Sequence, residues 1–97
     1  MQRKHEYRAT LVGRGASIGA NATLLPGVQI GSCAFIGAGS VVTRSVAPYA
    51  LAVGTPAQQI GWISRSGERL HFVDDQARCA ASGELYRLHE GRVELML

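Results

Sequence analysis

The stretch IGANATLLPGVQIGSCAFIGAGSVV, residues 18–42, carries an aliphatic residue at every sixth position. An amphipathic helix repeats its apolar positions every three or four residues and a half-buried strand at every second residue, so neither element explains this spacing. The same spacing extends toward the N-terminus without a gap. The aliphatic positions are Val12, Ile18, Leu24, Ile30, Ile36 and Val42. The unit of structure is therefore a six-residue repeat rather than one helix or one strand.

Small residues occupy most of the positions between the aliphatic ones. A small or β-branched residue follows each aliphatic position by four, as a narrow interior requires: Ala16, Ala22, Val28, Ala34, Ser40 and Val46. Gly15, Asn21, Gly27 and Gly39 follow by three, and these residue types tolerate the positive φ of a tight corner. The pattern predicts short strands joined by corners, with three hexads closing a triangular coil of about 18 residues, which is a hexapeptide parallel β-helix.

Stacked coils of this kind would form internal ladders of aliphatic side chains. The expected pairs are Val12 over Ile30, Ile18 over Ile36 and Leu24 over Val42. Pro48 then interrupts the register, and PYALAVGTPAQQI, residues 48–60, predicts an irregular third coil. In that coil we expect Val53 and Gly54 to resume the pattern one residue early. The chain would therefore contain about two to three coils.

The end of the chain has a different pattern. Residues 85–87 and 93–96 alternate apolar and polar side chains, which predicts a terminal β-hairpin that turns at Glu90 and Gly91 and caps the column. In that cap we expect Trp62, Tyr86 and the neighbouring apolar residues to pack together. We therefore divide this all-β chain into an N-terminal arm (1–11), β-helix coils (12–63) and a C-terminal extension with the hairpin (64–97).

Composition excludes several classes of function. The chain has 97 residues and a formal net charge of +3, but its ten basic residues are scattered and form no basic face or stacking-aromatic motif, which argues against nucleic-acid binding. Cys33 and Cys79 have no CxxC spacing and no neighbouring His, so we expect neither a metal site nor a disulfide. Residues 1–10 lack the apolar core of a signal peptide, and no run of about 18 apolar residues predicts a membrane span. We therefore expect a cytoplasmic protein.

The predicted outer surface points to association. Leu25, Phe35 and Val41 fall on outward positions of the coils, where large apolar groups favour packing between columns. A homotrimer is the natural closed ring for a three-sided column. The first coil, near Thr10 to Ala16, would also present unpaired strand edges, which invite stacking with another polypeptide.

The segment IGAGSVVTRSVAPYALAVGTPAQQIGW, residues 36–62, resembles the C-terminal signature of the hexapeptide-repeat acyltransferases. It has a GAGSVVT hexad, a proline break and a GxPA turn in the same order. RKHEYRATLV, RGASIGANATLLPGVQIG, GWISRSGERLHF and SGELYRL are similar to the C-terminal half of one branch. That branch is the bacterial UDP-2-acetamido-3-amino-2,3-dideoxy-glucuronate N-acetyltransferases of surface-polysaccharide synthesis.

The resemblance implies a left-handed β-helix and a homotrimer that binds acetyl-CoA in the groove between neighbouring columns. It also implies transfer of the acetyl group to an amino sugar carried on a nucleotide. The matching cofactor-binding positions are Ala20, Gly37, Ala38, Thr43, Arg44, Gly54, Thr55 and Pro56. Small residues would let the backbone approach a thin amide-bearing arm, and Arg44 would offer a cation to a phosphate. Gln58 departs from the family, which commonly has Lys or Arg there.

No catalytic residue can be assigned from the sequence. An amine acceptor must lose a proton during acyl transfer, usually to a His, Glu or Asp, and none lies within the coils. The resemblance places the family's acid/base residues and sugar-nucleotide pocket in coils upstream of this segment. His5 precedes the first coil, and His71 and His89 follow the last.

Three functions fit this sequence. The chain is an acetyl-CoA-dependent N-acetyltransferase or the CoA-binding half of one. Alternatively it is a non-catalytic trimeric scaffold that lacks the acceptor site, or a subunit that joins a second polypeptide supplying the missing coils.

Overall fold

The computed structural model describes residues 9–96, which form strands, turns and loops. The predicted N-terminal arm falls largely on residues 1–8, which together with His5 lie outside the described residues. The first six strands have two residues each: β1 (Leu11–Val12), β2 (Ser17–Ile18), β3 (Thr23–Leu24), β4 (Gln29–Ile30), β5 (Phe35–Ile36) and β6 (Val41–Val42). None of the described residues belongs to a helix that could cross a bilayer.

The corners between these strands have the backbone conformation that the sequence predicts. Gly15, Asn21, Gly27 and Gly39 all have positive φ, between 61° and 86°. Cys33 occupies the equivalent corner of the second coil with a φ of 60°, which is uncommon for a residue with a side chain. A corner every six residues turns the chain by one side of a triangle, so β1 to β3 form one coil and β4 to β6 the next.

The two coils stack in the predicted register. β1 pairs in parallel with β4, β2 with β5, and β3 with β6, so the three aliphatic ladders are confirmed. Backbone hydrogen bonds join the coils on each side, for example from Gly13 N to Ile30 O at 2.7 Å and from Gly19 N to Ile36 O at 2.8 Å. The inward side chains of the second coil form the first hydrophobic core with Ala52.

The glycine that follows most inward aliphatic residues is explained by close approach of the coils. A Cβ added to Gly13 would lie 2.6 Å from the backbone nitrogen of Ser32 in the next coil. A Cβ on Gly19 would likewise overlap the nitrogen of Ala38. Since a side chain at these positions would separate the coils, the glycines set the stacking distance.

The third coil is shorter than predicted. Val46 bridges Ile30, and Ala52 pairs with Ile36, so each stacks at a spacing of 16 residues rather than the 18 that separates Val12 from Ile30. Val53, expected over Ile36, instead lies against Gly37. The expectation of a shift by one residue was therefore wrong; the shift is two. The corner after β6 is shortened, and Val46 takes the aliphatic position rather than the small inner one.

The chain then leaves the coil and folds back on itself. β7 (Ala50–Gly54) continues the stack in parallel with β5, but β8 (Ala57–Ile63) runs antiparallel to β7 and β9 (Arg69–Leu70) antiparallel to β8. The turn from β7 to β8 contains a cis Thr55–Pro56 peptide. Ala57 packs against the first core, so β8 lies across the C-terminal end of the coils.

A second sheet follows the coils and confirms the predicted hairpin. β10 (Gln76–Arg78), β11 (Leu85–His89) and β12 (Arg92–Met96) are antiparallel, and His89 pairs with Arg92 across the turn. Glu90 and Gly91 both have positive φ, as a two-residue turn of this kind requires. The sheet encloses a second core around Tyr86, which Tyr49 and Trp62 contact from the coils and β8. The domain boundaries at residues 11/12 and 63/64 remain predictions.

Candidate functional site

Most of the predicted cofactor-binding residues lie along one corner of the column. We call Ala20, Ala38 and Gly54, at the corners that follow β2, β5 and β7, the alanine corner row. The amide of Gly39 donates to the carbonyl of Ala20 at 2.9 Å, and the amide of Gly54 donates to Ser40 Oγ at 3.1 Å. These bonds fix the spacing of the row along the column. Ala20 and Ala38 are exposed, so the row offers a smooth outer edge.

The remaining predicted residues divide between this row and the next corner. Gly37 is buried beside the row, and Thr55 and Pro56 form the turn at its end. Thr43 and Arg44 instead occupy the shortened corner between β6 and Val46. The structure therefore does not gather the eight residues into one contact site.

A cavity of about 550 Å³ joins the two corners. It lies at the C-terminal end of the coils, where β8 folds back, and it contains three of the predicted residues: Thr43, Arg44 and Pro56. Its volume is within the range of small-molecule sites in proteins. Ala20, Gly37, Ala38, Gly54 and Thr55 do not line it.

The lining of the cavity combines apolar and polar groups. Val42, Val46, Ala52 and Ala57 supply the apolar part, and all four belong to or pack against the first core. Ser45, Gln58 and Gln59 add a hydroxyl and two amides. A cavity with this lining can hold an extended ligand that has both apolar segments and hydrogen-bonding groups.

Arg44 supplies the positive charge of the cavity. It is exposed, and from Ala9 to Ser64 the only other charged residue is Arg14. The ion pairs among residues 9–96 are Arg65–Glu84 and His89–Glu90, so within that range Arg44 has no carboxylate partner. Its guanidinium is thus available to an anionic ligand such as a phosphate.

Sequence reasoning missed part of this cavity. Ser45, Gln58, Gln59 and Ala57 line it but were not among the predicted residues. Gln58 was noticed only as a departure from the family. The cavity exists because β8 returns antiparallel beside β7, and the hexad pattern ends before that point. A weak signal was present, since two consecutive amides follow the GTPA turn directly.

The cavity contains no group suited to accept a proton from an amine. Its lining has no carboxylate, imidazole or thiol. Among the described residues, the acidic side chains and histidines begin at Glu68 and lie in the C-terminal extension. No cluster of metal-binding side chains occurs within residues 9–96.

The C-terminal extension holds a separate buried polar cluster. The Cys79 thiol is buried, and its Sγ lies 3.3 Å from both Ser64 Oγ and Ser66 Oγ. Hydrogen bonds from Ser64, Ser66 and Ser82 lower the pKa of Cys79 to about 6. The thiol is enclosed by protein and shares no residue with the cavity, so its role is to join the β8–β9 turn to the second sheet.

An ion pair strengthens the same connection. The Arg65 guanidinium hydrogen-bonds both oxygens of Glu84, and this contact holds the pKa of the Glu84 carboxyl below its usual range. The backbone amide of Arg65 also donates to Tyr86 Oη at 3.1 Å. Burial raises the pKa of the Tyr86 phenol, which therefore stays neutral.

Comparison with known proteins places the coils in a family. The family described as "Bacterial transferase hexapeptide (six repeats)" matches residues 9–44. The dTDP-3-amino-3,6-dideoxy-alpha-D-galactopyranose 3-N-acetyltransferase of Aneurinibacillus thermoaerophilus is 44% identical over 91 residues, which are 94% of this chain and 47% of that protein. The chain thus spans about half the length of this relative. The expected resemblance to nucleotide-amino-sugar N-acetyltransferases is confirmed, although this relative's sugar is carried on dTDP.

Solved structures give the same result for the fold. Serine acetyltransferase from Neisseria gonorrhoeae superposes with a TM-score of 0.58 and 42% identity over 64% of this chain and 24% of that one. PerB from Caulobacter crescentus, solved in complex with CoA and GDP-perosamine, superposes with a TM-score of 0.54 and 41% identity over 56% of this chain and 26% of that one. The coil region of this chain therefore belongs to the hexapeptide-repeat family of bacterial transferases, and its fold is a left-handed parallel β-helix.

Proposed function

We propose that this chain is the acetyl-CoA-binding part of an N-acetyltransferase that acts on an amino sugar carried by a nucleotide. The observation that carries the proposal is the cavity of about 550 Å³, in which Thr43, Arg44 and Pro56 meet. The resemblance had assigned all three to the cofactor before their positions were known. The 44% identity to a dTDP-amino-sugar N-acetyltransferase supports the class of acceptor.

The groups present fit such a co-substrate. Arg44 would hold a phosphate, because a guanidinium binds phosphate oxygens through paired hydrogen bonds. Gln58 and Gln59 would hydrogen-bond polar groups at the cavity rim. The alanine corner row, which has no large side chain at Ala20 or Ala38, would lie beside the amide-bearing arm. When bound, acetyl-CoA would supply the activated acetyl group as a thioester.

The proposal assigns binding to this chain and proton transfer to other residues. Acetylation of an amine requires that the nitrogen lose a proton to a base. The described coils contain no carboxylate and no imidazole. The general base and the sugar-nucleotide pocket therefore belong to groups outside the described coils.

We also propose that the working assembly is a homotrimer. Leu25, Phe35 and Ile60 are exposed apolar side chains on the column and on β8, and packing between columns would bury such groups. Three columns around one axis would turn the alanine corner row of one chain toward its neighbour. An enzyme that uses acetyl-CoA and a nucleotide sugar would act in the cytoplasm.

A non-catalytic trimeric scaffold is the second candidate, and the absence of an acid/base group from the described coils favours it. Calorimetric titration of the full chain with CoA separates the two functions, because a scaffold would give no saturable heat. The matched pair of variants is Arg44→Ala and Arg14→Ala, since both residues are exposed coil arginines.

Loss of Arg44 should weaken CoA binding about 10- to 100-fold, as expected when a charged hydrogen bond worth about 1.5–3 kcal/mol is removed. Arg14→Ala should leave the affinity unchanged. Equal affinities for the two variants would contradict the cavity assignment even if CoA binds.

A further inference from the structure

The first coil leaves one end of the column uncovered. We call the coil formed by β1, β2 and β3 at that end the N-terminal end face. Val12 is 50% exposed and Ile18 is 39% exposed, whereas Ile30 and Ile36, directly beneath them in the second coil, are 2% and 0% exposed. These side chains occupy the same hexad position and differ only in whether another coil lies above them. The end face is therefore a section through the hydrophobic core.

The backbone of this coil is also available for pairing. Among the described residues, β1 pairs only with β4 and β3 only with β6, and β2 is the edge of its sheet. Leu11 and Gly13 donate their amides to the second coil. Since hydrogen-bonding direction alternates along a strand, the amide and carbonyl of Val12 point away from that coil. The same argument applies to Ile18 and Leu24, so all three sides of the end face present open strand edges.

The stacking geometry specifies what fits there. The partner must offer three short strands arranged as a triangle, each with an inward aliphatic residue, because that arrangement is what the first coil offers to the second. A helix or a flat sheet could pair with at most one side. The partner also needs glycine after its inward residues, since the Cβ of Gly19 would overlap the backbone of Ala38 one coil below. The corresponding glycine of the partner would face Ala20.

We propose that the N-terminal end face is a docking surface for a separate polypeptide that ends in a bare hexapeptide coil. The partner coil stacks in parallel register, buries Val12 and Ile18, and completes the hydrogen bonds of the three edge strands. Such a partner would also bring further coils beside the cavity, and these could carry the proton-accepting group. The proposal rests on the fold and does not depend on CoA binding.

The test adds coils of known sequence to the full chain. Two tandem copies of residues 11–28 inserted before Leu11 preserve the hexad register, and a protease site in the corner between the second copy and Leu11 allows the added coils to be cut free. Corner insertions of this kind are tolerated at exposed turns. The measurement is amide hydrogen exchange at Val12, Ile18 and Leu24, together with the size of the complex before and after cleavage.

We expect exchange at these amides to slow about tenfold or more in the fusion, because stacking converts edge amides into bonded ones. The protection should persist after cleavage, with both pieces eluting together. In the control fusion, lysine replaces the three inward aliphatic residues of each copy, and the protection should be absent. Unchanged exchange in the intact fusion, or release of the coils on cleavage, would overturn the proposal. A CoA titration is read separately, so failure of the proposed function leaves this result interpretable.

Discussion

The difference between the two coils can be measured with one matched pair of substitutions. Ile36 and Ile18 belong to the same aliphatic ladder and pair with each other through β5 and β2. Ile36 is fully buried, whereas Ile18 is 39% exposed at the end face. Ile36→Ala and Ile18→Ala therefore remove the same atoms from two different environments.

The expected losses differ by more than twofold. Removing the buried atoms of Ile36 should cost about 4 kcal/mol of unfolding free energy, because the lost transfer energy is joined by the cost of a cavity. Ile18→Ala should cost about 1.5 kcal/mol, since only part of the side chain is buried and water can fill the space. For a domain of this size each kcal/mol corresponds to a shift of about 4–8 °C in Tm.

Urea denaturation followed by circular dichroism, with the midpoint and slope fitted for each variant, measures these losses. Protein concentration must be fixed, because association of folded chains stabilises them by mass action. Equal losses for Ile18→Ala and Ile36→Ala would refute the reasoning. That result would mean that the first coil is covered in solution or that Ile36 does not lie in the core.

Two further predictions concern stacking and the C-terminal extension. Gly19→Ala should destabilise the chain by about 1–3 kcal/mol because its Cβ meets the backbone of the second coil, whereas Gly39→Asn should cost less than about 1 kcal/mol because Asn21 already occupies the equivalent corner; thermal unfolding compares them, and similar losses would contradict the close-approach argument. Arg65 lowers the pKa of Glu84, so their contact should add stability above the unfolded-state pKa of the carboxyl and lose it as the pH falls through the lower folded value; the difference in urea midpoint between the natural chain and Glu84→Gln should therefore shrink from about pH 7 to about pH 3, and a constant difference would exclude the ion pair as its source.

The sequence determines the regular coils because each hexad is a complete local instruction. An inward aliphatic residue, a small residue four positions later and a corner residue between them define one side of the triangle, and the structure follows that rule through Val42. Cys33 shows that the corner rule holds even where the residue type does not favour positive φ. The geometry of neighbouring corners imposes this conformation, which residue preference alone would not predict.

The rule fails where the spacing changes inside a corner. Val46 suited the small inner position four residues after Val42, and its sequence gives no reason to place it over Ile30 instead. Backbone pairing decides the matter, because the amide of Gln29 bonds Ser45 Oγ and the amide of Val46 bonds the carbonyl of Gln29. These contacts join residues of adjacent coils, so they become visible only when the coils are stacked.

The same limit explains the partial success at the candidate site. Thr43, Arg44 and Pro56 were predicted from motif positions and do meet in one cavity, but β8 creates that cavity by reversing direction after Pro56. The antiparallel return also brings in Gln58 and Gln59. No hexad describes that reversal, so the motif could indicate which residues matter without indicating which of them share a cavity.

A column of stacked coils allows binding and proton transfer to be contributed separately. Each coil pairs only with the coils directly above and below it, so a repeat column can be extended at a free end without disturbing the opposite end. The cavity with Arg44 lies at the C-terminal end of the coils, and Val12 and Ile18 lie at the other. Because the end face has open edges on all three sides, a catalytic group carried by an added coil would join a cofactor site that is already formed. Loss of CoA affinity in Arg44→Ala and protection of Val12 by an added coil should therefore be independent, and a large effect of one change on the other readout would contradict this division.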